Sequence, residues 1–312
     1  MTRADRETRY IADQGIEAAL LAAEGDVRPC AAAFPLIEEP GGVAWLKAHY
    51  RSQASAAARH GLGFLFETPT WRASSDWGEA LGYTEADLHR INVAAVELCR
   101  EMAAQHPHMA SKVVGQVGPR NCSYVPAERM SADEAAIYHR TQIRAFREAG
   151  ADAVAALGIN DVDEAVGVVI AARCSGLPCT VTFSVDARGR LPSGLPLAAA
   201  IAEVDERTRD AAAHFGVICA KPLPVLGSLP RDLMGRVKSL RLNHNPFGSN
   251  GYEIAQPPHA SSLAADLSAV AFVSSAITDC GGPCGCAALP QSWPSRLPSA
   301  LIDCLNVAPV LH

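Results

Sequence analysis

Helix-patterned and strand-patterned segments alternate along this chain with no hairpin signal between consecutive strands, and that order leaves few ways to fold. The segment from Gly42 to Arg59 has helical periodicity and leads into the apolar run GLGFLFE, a buried strand ending at Glu67. The run TEADLHRINVAAVELCREMAAQ is a second helix with Thr84 as its cap, and KVVGQVG a second strand. A third helix, SADEAAIYHRTQIRAFREAG, is capped by Ser131 and closed by Gly150. Then ADAVAALG reads as a strand, DVDEAVGVVIAARCSG as a helix ending near Gly176, and PCTVTFSVD as a strand running into a turn at Ala187 to Gly189. The helix LPLAAAIAEVDERTR and the strand HFGVICAKP follow.

Parallel strands need crossover helices, so this alternation predicts an α/β protein with a parallel sheet, and the repeat spacing suits a single closed (β/α)8 TIM barrel. An open doubly wound sheet is the alternative. Barrels of roughly 250 residues or somewhat more are routinely one domain, so residues 1–312 are expected to form one barrel domain. From about Asn243 the texture changes, with many Pro, Ser, Gly and Asn residues and prolines at 290, 294 and 298, and the alternation can no longer be followed.

Hydrophobic residues make up 49% of the chain and charged ones 19%, enough apolar surface for a large core and far from a disordered composition. The net charge of -6 and the scattered Lys and Arg residues exclude a phosphate-neutralising stripe, so nucleic acid is not an expected partner. The N-terminal stretch is charged, without the apolar core of a signal peptide, and no stretch reaches the roughly 18 apolar residues of a membrane span. A cytoplasmic protein acting on small molecules, as a homo-oligomer at the common rate, is expected. Neither GGPCGC nor GQVGPR has dinucleotide-loop spacing.

Catalytic groups of a parallel barrel sit where strands end. Four such ends carry suggestive residues: Asp13 and Glu17; Glu67, Thr68, Thr70, Trp71 and Arg72; Gln116, Arg120 and Asn121; and Cys219. A site built from these would hold an amino acid. Taken singly, an acidic residue after a strand can simply cap the next helix, and a tryptophan is more often packing than recognition.

The ten cysteines sharpen the picture. Cys99, Cys174 and Cys179 are expected to be small buried hydrophobes. Cys219, by contrast, ends an apolar strand, and TDCGGPCGC later brings Cys280, Cys284 and Cys286 together in a glycine-rich turn. Three soft sulfur ligands favour zinc and leave a fourth position for a substrate thiol, which would be deprotonated there at neutral pH. The spacing C-x3-C-x-C matches no standard zinc finger, so a closed four-cysteine structural site and no metal at all both stay open.

With these strings in hand, the chain resembles the homocysteine S-methyltransferase family of zinc-dependent barrels over about Tyr10 to Tyr252. The carriers, in consistent order, are ADQGIEAAL, FETPTWRAS, VGQVGPRN with the long segment SYVPAERM to GAD, RGRLPSG and FGVICAKP. The resemblance implies methyl transfer from a sulfonium or ammonium donor, such as S-methylmethionine or S-adenosylmethionine, to homocysteine, giving methionine. It implies Cys219 and Cys284 as catalytic zinc cysteines with Cys286, or alternatively Cys280, as the third ligand. Asp13 would hold the homocysteine ammonium, with Glu17, Glu67 and Thr68 beside it. Aromatic faces such as Trp71 or Trp77 could meet the cationic donor.

The chain also departs from the family pattern. Where the family carries two adjacent cysteines, this chain has Pro283 before Cys284; Gln14, Ala18 and Ile218 replace other family residues, and ALGINDVDEA lacks an acidic residue after its strand. Two alternatives follow: an enzyme for another thiol or selenol acceptor, or a non-catalytic ligand-binding barrel.

Overall fold

The structure is a computed structural model that describes residues 10–13, 15–16, 19–20, 30, 32–59, 61–121, 129–219, 222–242 and 279–281. Its frame is a curled parallel sheet whose strands follow one another in chain order: β1 (Tyr10–Ala12), β2 (Gly63–Glu67), β3 (Ser111–Val117), β4 (Ala153–Ile159), β5 (Cys179–Ser184), β6 (His214–Cys219) and β7 (Val237–Leu242). Every pairing is parallel. A three-residue strand, β8 (Asp279–Gly281), pairs with both β7 and β1, with Leu240 opposite Cys280 and Tyr10 opposite Asp279. Strictly sequential order is that of a singly wound, TIM-like sheet; a doubly wound sheet reverses direction at a switch point.

The helices lie where periodicity put them: α1 (Gly42–Arg59), α3 (Glu85–Ala104), α4 (Ala132–Ala149), α5 (Val162–Cys174) and α6 (Leu197–Thr208). Three short ones, α2 (Ser75–Ala80), α7 (Pro222–Gly227) and α8 (Arg231–Met234), were not expected. Local chemistry sets the ends. Thr84 and Ser131 each form a capping box, with Asp87 and Glu134 returning the bond, and Gly150 closes α4 at φ 81°, where a side chain would be strained.

One face of each strand packs on the helices. Phe64, Phe66, Val181, Phe183, Phe215 and Val217 join Ile143 and Phe146 of α4 and Val166 and Val169 of α5 in one continuous core. Cys99 and Cys179 are buried as expected, but Cys174, the last residue of α5, is exposed. The apolar pattern of α5 is nearly continuous, so the sequence does not mark which side of its last turn meets solvent.

Candidate functional site

The other face of the strands points along the barrel axis and is polar. There Arg241 of β7 donates through Nη2 to Oε1 of Glu67 at the end of β2 (2.5 Å) and through Nη1 to the carbonyl of Asp13 (2.8 Å). Both side chains are buried, so the ion pair sits in low dielectric where each charge depends on the other. The Gln116 amide donates to the second Glu67 oxygen at 3.3 Å, and the Tyr50 hydroxyl donates to the Glu67 carbonyl. A cavity of about 360 Å³ runs beside this pair, lined among others by Val114, Ala155, Thr182 and Ser239. Tyr10, Lys112, His214 and Lys238, at or next to the first residues of their strands, also line it, so the cavity extends from the Glu67–Arg241 pair toward the N-terminal strand ends.

Asp13, just beyond β1, is also buried, and its carboxylate meets α1. Oδ1 takes His49 Nε2 at 2.7 Å and Gln53 Nε2 at 3.0 Å, while Oδ2 accepts the Gly15 amide at 2.9 Å. Burial pushes its pKa up, yet the charge and hydrogen bond of His49, the Gly15 amide and the Arg241 charge outweigh it and hold the carboxyl below its ordinary value. Among the described residues, three donors thus converge on this carboxylate.

Thr68 is engaged in stitching strands. The Gln116 backbone N–H donates to its hydroxyl, its own proton goes to Thr70, and Thr70 donates to the Gln116 backbone carbonyl. This ring ties the loop after β2 to the end of β3. The same loop carries a second fixture: the Arg72 guanidinium lies 3.9 Å from the Trp71 ring centre and 3.8 Å from that of Trp77, and donates to the Pro119 and Asn121 carbonyls. The expectation that Trp71 and Trp77 receive a cationic donor is therefore corrected for these facing surfaces, which a resident cation already occupies.

Asp13, Glu67 and Thr68 are thus brought together by Arg241, Gln116 and the strand ends. Cys219 is the last residue of β6, and Cys280 lies in β8. Glu17, Cys284, Cys286 and Pro283 lie outside the described residues. Among the described residues no group of three metal-ligating side chains occurs, and no helix is long and apolar enough to cross a membrane.

Sequence reasoning missed His49, Gln53 and Arg241. His49 and Gln53 stand at i and i+4 on the buried face of α1, and Arg241 interrupts the strand VKSLRL. A polar pair on an apolar face and a charge inside a buried strand were signals available for both.

Residues 30–287 match the family profile described as homocysteine S-methyltransferase. Among solved structures, the chain is similar to the homocysteine methyltransferase MmuM from Escherichia coli. For the metallated form the TM-score is 0.68 at 18% identity, and for the oxidized form 0.69 at 19%, with 97% of this chain and 96% of that chain covered in each. At that identity the likeness speaks for the fold. No curated protein matches the chain.

Proposed function

The chain belongs to the homocysteine S-methyltransferase family, and from that premise we propose that it is a zinc-dependent methyltransferase carrying a methyl group from a sulfonium or ammonium donor to homocysteine, giving methionine. The fold that goes with this reading is one complete (β/α)8 barrel domain across residues 1–312, working in the cytoplasm on small molecules. S-methylmethionine and S-adenosylmethionine are the donors to try first.

The observation that carries the reading is the placement of two cysteine-bearing strands. β6 ends at Cys219 and β8 begins the segment holding Cys284 and Cys286; both pair with β7, with Cys219 opposite Leu242 and Cys280 opposite Leu240. Two strand spacings of about 4.8 Å separate them, and Cys284 follows Gly281 by only three residues. In sequence, both strands bring cysteine-bearing segments to one side of the sheet's C-terminal end, and thiolates are the soft ligands that zinc favours. Cys219, Cys284 and Cys286 would hold it, and a bound zinc would supply acidification of the acceptor thiol.

The remaining work falls to the chain's own groups. Asp13 would receive the substrate ammonium, with Glu67 as its acidic neighbour across Arg241. Arg241 holds both acids in place, and the Thr68 ring fixes the loop that follows Glu67. Holding two reactants in one geometry is itself a large part of the acceleration.

The test is methionine formation from homocysteine with each donor, using zinc-loaded protein. Methionine with either donor supports the reading; none with both, at full zinc content, overturns it. Pro283, standing where the family carries a cysteine, favours a second reading: a barrel serving another thiol or selenol acceptor, or one that binds without catalysis. An acceptor panel at fixed donor separates these.

A further inference from the structure

Ser184 closes β5, is fully buried, and its Oγ has no hydrogen-bond partner. Buried hydroxyls are normally paired, and an unpaired one calls for an explanation such as a ligand. Its direction follows from its strand. Successive side chains face opposite sides: Val181 and Phe183 belong to the core between sheet and helices, whereas Thr180 and Thr182 line the axial cavity. A Cβ built on Gly216 of β6 would lie 2.5 Å from Thr182 Oγ1, which confirms that Thr182 occupies the inner face. Ser184 falls in the same set, one step nearer the C-terminal strand ends where barrels bind substrates. Its register partner on β6 is Ile218, the residue before Cys219.

We propose that the Ser184 hydroxyl is a substrate-binding, specificity-determining group that hydrogen-bonds the α-amino-acid head of a substrate at this end of the barrel. The inference rests on the methyltransferase reading, in which acceptor and donor can both carry such a head. A hydroxyl suits either charge, donating to a carboxylate or accepting from an ammonium.

Calorimetric titration of the zinc-loaded full chain tests it, with homocysteine and S-methylmethionine as separate arms and 2-mercaptoethanol as a thiol without the head. Ser184→Ala weakens one of the two amino acids by about three- to tenfold, the worth of one such bond, and leaves 2-mercaptoethanol unchanged; the arm affected identifies the substrate. Ser184→Thr, which keeps the hydroxyl, retains the affinity. Ser184→Ala also melts no lower than wild type, because no bond within the protein is lost. Wild-type affinity of Ser184→Ala for both amino acids overturns the proposal alone, as does an equal loss for 2-mercaptoethanol. Wild-type protein that binds neither amino acid overturns the methyltransferase reading and this proposal with it.

Discussion

Arg241 and Glu67 meet inside the barrel at 2.5 Å although 174 residues separate them in the chain, and each is at least 95% shielded from solvent. Joining β7 to β2 across the axis, with a branch to the Asp13 carbonyl, the pair organises the acidic side of the proposed substrate site.

Removing one partner strands the other charge in low dielectric. Glu67→Leu and Arg241→Leu should each cost about 3–5 kcal/mol in urea unfolding, and the double variant should be less destabilised than the sum. Additive losses would mean that the two side chains do not depend on one another.

Asp13 gives the acid limb of stability a specific source. Its folded pKa lies below the ordinary 3.8, so its contribution is present above that value and is lost as pH falls through the lower folded value. Unfolding free energy measured from pH 5 down to pH 2 should fall for wild type, with a shallower slope for Asp13→Asn. Identical slopes would remove Asp13 from the explanation.

Thiol reactivity should divide the described cysteines. Burial raises the Cys99 and Cys179 thiols to about 12, leaving almost no thiolate at pH 8. Iodoacetamide at that pH should label exposed Cys174 in the native protein, and Cys99 and Cys179 only after unfolding, as peptide mapping would show. Labelling of Cys99 at the rate of Cys174 would contradict its burial in the core.

The arginine between two tryptophans makes a sharper demand than charge alone. Arg72→Lys keeps the charge but loses the planar group that stacks on both rings and reaches two carbonyls. It should destabilise the protein by about 1–2 kcal/mol and shift the tryptophan fluorescence. A variant as stable as wild type would show that the stack is incidental.

Much of this fold is legible in the sequence because the forces that set it are local. Thr84, Ser131 and Gly150 stop and start helices through bonds within a few residues, and the alternating apolar runs need only their own periodicity to be read. The site is less legible because its bonds are long-range. Arg241 looks like an anomaly in an apolar strand until the barrel brings Glu67 and Asp13 to it, and His49 with Gln53 looks like a polar interruption of α1 until Asp13 arrives. Trp71 and Trp77 show the converse: their residue type suggests cation binding correctly, but the cation is Arg72, next to Trp71 in sequence.

Zinc stoichiometry tests the central claim most directly. Elemental analysis of reduced wild-type protein and of Cys219→Ala and Cys286→Ala, all checked for native circular dichroism, should find one zinc per chain in wild type and its loss in both variants. Wild-type protein that takes up no zinc on reconstitution, or folded Cys219→Ala that keeps it, would contradict the account.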